Sequence, residues 1–146
     1  MIISSYMRSE HRECDELFSS AEKSVIDGNF EQAEKQFLLF ADDTLKHFKK
    51  EEDALFPTFE EISGSTEGPT RVMRHEHEQV RGLIGKMAGA IENRDADAYL
   101  SMAESMMILL QQHNMKEEQM LYAMCDRMIP QESKESLLET MKVIEL

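Results

Sequence analysis

Apolar residues return at steps of three and four along most of the chain. In the first stretch Met7, His11, Cys14, Phe18, Ala21 and Val25 fall on one side, the stripe of an amphipathic helix. In the second, Ala33, Phe37, Phe40, His47, Glu51, Ala54 and Leu55 share a face. Met73, His77, Val80, Ile84, Met87 and Ile91 make a third stripe. Tyr99, Ala103, Met106, His113, Glu117, Met120 and Leu121 make a fourth. Tyr99 stands near the start of its helix, where its ring can pack while its hydroxyl reaches water. Every stripe contains a histidine and two contain a glutamate, on faces that should meet a core.

The breaks between stripes fall at residues that stop helices. Ser4 or Ser5 can cap the first helix, and "DGN" at 27–29 ends it. The second is predicted from Phe30 to Ile62, with Pro57 kinking or ending it. "SGSTEGP" separates the halves of the chain, and Pro69 is suited to the first turn of the third helix. "NRDAD" at 93–97 leads into the fourth, which stops near Pro130. The tail "QESKESLLETMKVIEL" predicts a short fifth helix with Leu137, Leu138, Met141 and Ile144 on its apolar side.

The chain also repeats itself. "HFKKEEDALF", from His47, and "HNMKEEQMLY", from His113, lie 66 residues apart (113 minus 47). The same shift carries Glu10-His11 onto Glu76-His77 (77 minus 11). Residues 1–66 overlay 67–132 without a gap, and each repeat is a helical hairpin. The expected architecture is all-α: an antiparallel up-down four-helix bundle from a duplicated hairpin, with a short C-terminal fifth helix. Residues 1–146 would form one domain, with 133–146 as an extension beyond the repeat.

Composition narrows the functions. A chain of 146 residues can bury a core without disulfides. Cys14 and Cys125 lie far apart and outside any CxxC spacing, so reduced thiols are expected. There is no apolar run of membrane-spanning length, and "MIISSYMRSEH" lacks the basic-then-apolar pattern of a secretory signal, which favours the cytoplasm. Sixteen basic residues against 29 acidic ones give a formal net charge of −13, which argues against nucleic acid or an anionic membrane as partner. Twelve methionines and no tryptophan suit an irregular, adaptable helical core.

On this architecture His11, His47, His77 and His113 face the bundle axis. Glu51 and Glu117 join them, because residues four apart lie on one helix face. Buried carboxylates and imidazoles are costly unless compensated. Metal ions compensate them directly, since imidazole and carboxylate are usual ligands of iron, manganese and zinc. Four histidines and two glutamates suffice for two ions, each with two histidines, with both glutamates bridging and some positions left open. The structural alternative is a set of buried, hydrogen-bonded His–Glu pairs; four inward histidines in two-fold register favour metal.

Neighbouring residues fit less well. His75 sits two residues from His77 and points away from the axis. "HEHEQ" has Gln79 where a zinc-protease HExxH motif needs histidine. Asp15, one turn after His11, has Arg81 at its equivalent position. Glu52 and Glu118 adjoin the proposed bridges and are expected either in solvent or steadying the ligands. Tyr122 is a candidate donor into the site, but its equivalent, Phe56, has no hydroxyl, so packing is the expected role. Cys14 reads as a small buried hydrophobe.

A histidine in helix one, His-x3-Glu in helix two, "EH" in helix three and His-x3-Glu-Glu in helix four resemble the hemerythrin-like (HHE cation-binding) domain over about residues 4–130. The resemblance implies a non-haem centre of two iron ions, bridged by two carboxylates and an oxo or hydroxo group, with manganese or zinc able to substitute. Oxygen-carrying hemerythrins place a further histidine where this chain has Met73, and a His-x4-Asp where it has His113-x3-Glu117. The chain is therefore more similar to the di-iron repair-of-iron-centres type. The implied role is binding or reacting with oxygen, nitric oxide or peroxide, for sensing, detoxification or iron-centre maintenance; enzymatic turnover is left open. The alternative is a metal-dependent signalling module whose output runs through the fifth helix, to a partner protein or a second copy in a homodimer.

Overall fold

Asn29 and Asp95, which the 66-residue shift superposes, start two helices in the same way. The Asn29 side chain accepts a hydrogen bond from the Gln32 amide and Asp95 accepts one from Ala98, each at 3.1 Å. Such caps satisfy amides that have no partner inside the helix. The turns before them need one left-handed residue apiece. Gly28 fills that position in the first turn (φ 76°), and Arg94 takes it in the second (φ 53°) at a steric cost glycine avoids.

The computed structural model describes residues 2–146 and is helical throughout, with no strand among the described residues. Helix α1 is Ile2–Ile26. Helix α2 spans residues 30–63 in three continuous stretches: Phe30–Lys50, a widened π turn at Glu51–Leu55, and Phe56–Ser63. Helix α3 is Pro69–Glu92, with its proline in the first turn as expected. Helix α4 spans residues 96–128 and repeats the design of α2: Ala96–Lys116, a π turn at Glu117–Leu121, and Tyr122–Met128. Helix α5 is Gln131–Lys142.

Pro57 neither ends nor breaks α2. The turn before it is widened instead, and Phe56 donates its amide to the Glu51 carbonyl. The π turn in α4 precedes Ala123, so a proline is not what causes the widening. Both turns begin at an inward glutamate, where such bulges commonly serve a site.

The four long helices form a closed ring of contacts, α1 on α2 and α4, and α3 on α2 and α4. Ser24 meets Gln36 towards one end of the α1–α2 pair and Lys50 meets Tyr6 towards the other, so these two helices run in opposite senses. The start of α1 is held from α4. Asp126 accepts hydrogen bonds from the Ile3 amide at 2.9 Å, the Ser4 amide at 3.1 Å and the Ser4 hydroxyl at 2.6 Å. The expected cap from Ser4 or Ser5 is thus replaced by a carboxylate reaching across the bundle.

Apolar side chains collect in two clusters. One is built around Phe18, Phe37, Phe40, Met87, Tyr99 and Met106; the other around Ile3, Met7, Leu55, Phe56, Phe59 and Met141. The inward histidines and glutamates belong to neither and form a buried polar layer. Helix α5 packs on α1 and on the Glu51–Leu55 turn, burying Leu137 and Met141, with Leu138 and Ile144 partly covered.

Two positions depart from the expected pattern. Met120 is 59 % exposed although its equivalent, Ala54, is buried. Helix α5 covers the π turn of α2 that carries Ala54, and that cover accounts for the difference. Tyr99 is fully buried, and its hydroxyl reaches no hydrogen-bond partner among the described residues, where contact with water was expected.

Candidate metal centre

His47 and Glu51 lie one turn apart at the end of the first stretch of α2; His113 and Glu117 do the same in α4. His11 comes from α1 and His77 from α3. All six are buried, Glu51, His77, His113 and Glu117 completely. Their potential ligand atoms fall into two groups, Glu51, His77, His113 and Glu117 in one, and His11, His47 and Glu117 in the other. Within each group the atoms lie no more than 4.8 Å apart. Glu51 Oε1 is 3.1 Å from His77 Nε2 and 3.5 Å from His47 Nε2. Glu117 Oε1 is 3.1 Å from His11 Nε2 and 3.3 Å from His113 Nε2. Each glutamate therefore stands between a histidine of one group and a histidine of the other.

The outer nitrogen of every imidazole meets a carboxylate. His11 Nδ1 lies 2.6 Å from Glu118, His47 Nδ1 2.9 Å from Glu10, His77 Nδ1 2.6 Å from Glu52 and His113 Nδ1 2.8 Å from Glu76. The four carboxylates are themselves two pairs under the 66-residue shift (76 minus 10, 118 minus 52). A cation backs each one: Lys50 on Glu10, Lys116 on Glu76, Arg81 on Glu52 and Arg8 on Glu118. Burial works against ionisation of Glu10, but His47 and Lys50 outweigh it and hold the carboxyl at about 2. Glu52 is likewise held at about 2, by His77 and Arg81 against its burial. Glu76 is lowered by Lys116 and His113 against the same cost. An ionised carboxylate can only accept, so the facing Nδ1 carries the ring proton. In the neutral imidazole the Nε2 lone pair then points inward, the orientation metal-binding histidines use.

Inward, electron-rich atoms face one another. His11 Nε2 and His47 Nε2 are 3.1 Å apart. Glu51 Oε1, His77 Nε2, His113 Nε2 and Glu117 Oε2 are buried and have no hydrogen-bond partner among the described residues. His77 Nε2 and Glu51 Oε1 are close, yet a neutral imidazole nitrogen and an ionised carboxylate are both acceptors and need a proton or a metal cation between them. Burial and the neighbouring Glu117 charge push Glu51 up, while His113 and several hydrogen bonds hold Glu117 down against its own burial. Burial lowers His11, His77 and His113, but the glutamates outweigh it: His11 and His77 are raised and His113 is pushed up to about 9. Positive charge is needed in this layer, as protons or as metal cations. The donor set of imidazoles and carboxylates, with orphaned lone pairs turned inward, fits the second.

The walls differ on the two sides. Phe48 stacks on His77 with ring centres 3.8 Å apart, and Phe56 lies at 5.7 Å from the same ring. On the other side the Tyr122 hydroxyl enters the layer, 2.7 Å from Glu51 and 2.9 Å from Glu117. Burial and those two carboxylates push its pKa well above the usual value, so in the absence of a cation it stays a phenol. The packing role expected of Tyr122 is therefore incomplete, because its oxygen belongs to the site.

Glu10 and Glu76, which meet the outer nitrogens of His47 and His113, are positions that the residue pattern did not single out, although the doubled "EH" carried them. His75 and Asp15 are exposed and lie in neither group. Cys14 is half-buried and burial pushes its thiol up to about 12; Cys125 is buried, and both thiols are free.

A sequence model of the hemerythrin HHE cation binding domain matches residues 2–125, which includes the whole layer and stops short of α5. No curated protein and no solved structure matches the chain.

Proposed function

From the premise that this chain belongs to the hemerythrin HHE cation-binding domain family, we propose that it is a non-haem di-iron protein that binds or reacts with oxygen, nitric oxide or peroxide. His11, His47, His77 and His113 would ligate the ions and Glu51 and Glu117 would bridge them, within one domain whose α1–α4 form an up-down four-helix bundle from a duplicated hairpin. The observation that carries this reading is the opposed wiring of the four imidazoles. Each outer nitrogen is tied to a carboxylate, and each inner nitrogen converges with a glutamate in a layer that lacks enough donors.

The iron pair would supply redox chemistry and coordination positions for a small exchangeable ligand. The chain's own part is to preorganise and to exclude water. Glu10, Glu52, Glu76 and Glu118 fix ring orientation and hold the proton on Nδ1, which leaves Nε2 free. Phe48 and Phe56 close the His77 side against solvent. His11 and His47 retain slight exposure, 5 % and 4 %, whereas His77 and His113 have none, so the approach of a small molecule is assigned to the α1–α2 side. Met73 in place of a further histidine leaves one position fewer filled by protein, in line with the repair-of-iron-centres type and a role in detoxification or iron-centre maintenance in the cytoplasm. A signalling output through α5 to a second copy or a partner is the second reading. It is favoured by the contacts of Glu145 with Lys46 and Lys49, beside His47.

The test is to load the protein anaerobically with ferrous iron and follow its optical spectrum on adding oxygen, nitric oxide or peroxide. At least one should change the spectrum of wild type and leave that of His113→Ala unchanged. An iron-loaded protein inert to all three would overturn the ligand-binding reading.

A further inference from the structure

The two ligand groups are unequal, four residues against three, and Tyr122 stands where the smaller group is short. Its oxygen lies 2.9 Å from Glu117 Oε1, 3.2 Å from His11 Nε2 and 3.3 Å from His47 Nε2. His11 Nε2 is itself 3.1 Å from both His47 Nε2 and Glu117 Oε1. Five of the six distances among these four atoms are thus about 3 Å, and the ligand atoms of His11, His47 and Glu117 lie within 4.8 Å of one another. Four donor atoms gathered this closely can surround one divalent ion, which imidazole and oxygen ligands approach to about 2.0–2.2 Å. Resting on the di-iron reading, we propose that Tyr122 is itself a metal ligand, its oxygen joining the set formed by His11, His47 and Glu117.

Hydrogen bonding alone does not account for the cluster. One phenol has one proton, and it faces the carboxylates of Glu51 and Glu117 together with two ring nitrogens. In the neutral rings those nitrogens are acceptors as well, because the outer nitrogens of His11 and His47 are engaged by Glu118 and Glu10. A cation at the centre satisfies all of them at once. The position equivalent to Tyr122 is Phe56 (122 minus 66), and it lies against His77 in the group that already has four members. A hydroxyl is present only where a ligand is missing. On binding, the phenol O–H bond breaks heterolytically, the proton leaves to solvent and the oxygen pair forms the bond to the metal; no electron is transferred.

The experiment uses the full chain loaded with ferrous iron, freed of loose metal, oxidised in air and assayed for iron in the same sample. Wild type should show a broad visible phenolate-to-iron band and, under resonance Raman excitation, ring vibrations of a bound tyrosine. Ring-deuterated tyrosine incorporated into wild type should shift those vibrations, a readout that needs no variant. Tyr122→Phe should lose the band while retaining iron and helical content. Iron-loaded wild type without the band, or a band that persists in Tyr122→Phe, overturns the assignment and leaves the di-iron reading standing. Wild type that retains no iron overturns both.

Discussion

His77 holds Glu52 across the α2–α3 contact at 2.6 Å, and the same carboxylate takes two hydrogen bonds from Arg81, at 2.8 and 3.1 Å. The imidazole is thus fixed by a side chain whose other hydrogen bonds go outward to Arg81. Loss of such an orienting carboxylate commonly weakens metal binding by roughly 10–100-fold. Glu52→Ala is expected to fall in that range, measured by competition with a chelator, with helical content unchanged. An affinity equal to that of wild type would show that the ring is held by packing against Phe48 alone.

Asp126 ties the start of α1 to the end of α4. Burial opposes its ionisation, but the Ser4 hydroxyl and the Ile3 and Ser4 amides hold the carboxyl below its ordinary value of 3.8. A group depressed in the folded state stabilises it at pH values above the unfolded value and ceases to do so in acid. Asp126→Ala should cost about 1–2 kcal/mol at neutral pH, as the loss of a cap does. The difference from wild type should shrink as pH falls below 3.8 in denaturant titrations. A difference that stays constant into acid would mean the carboxylate charge contributes nothing.

Tyr99 packs edge-on to Phe37 with ring centres 5.8 Å apart, in the apolar cluster remote from α5, while its hydroxyl has no partner among the described residues. Burying an unpaired hydroxyl costs about 1–3 kcal/mol. Tyr99→Phe keeps the ring and removes that cost, so the variant is expected to be as stable as wild type or more stable by about 1 kcal/mol. Thermal unfolding measures this. A loss of more than 1 kcal/mol would require a bound water or another partner for the hydroxyl.

Helix α5 lies outside the span matched to the family, yet it buries Leu137 and Met141 over the second apolar cluster. Each such side chain is worth about 1.5–3 kcal/mol of burial. Truncation after Ile129 should therefore lower the unfolding temperature, while the iron retained per chain stays unchanged because none of the proposed ligands is removed. Truncation with unchanged stability and an altered oligomeric state would transfer α5 from bundle cover to partner contact.

The helical character and the family were legible in the chain, the first because apolar residues recur at a helical period, the second because four histidines and two glutamates kept their spacing through a 66-residue shift. Periodicity reports which face turns inward. It does not report what an imidazole's outer nitrogen will meet on the next helix, and so Glu10 and Glu76 went unread beside the histidines they adjoin. The π turns were invisible for a related reason, since a five-residue widening leaves the composition of a stripe unaltered. Tyr122 was read through its equivalent, Phe56, and the comparison hid the hydroxyl that distinguishes the two sides. Met120 was placed inward by symmetry, but α5 covers only one of the two equivalent turns.

The central claim is that cations, and not protons alone, neutralise this buried layer, and iron content tests it most directly. Wild-type protein exposed anaerobically to ferrous iron and passed through a desalting column should retain two irons per chain. Glu117→Ala, which removes the residue common to both ligand groups, should retain fewer. Wild type emerging with no bound iron would contradict the claim and leave the histidines as protonated partners of buried carboxylates.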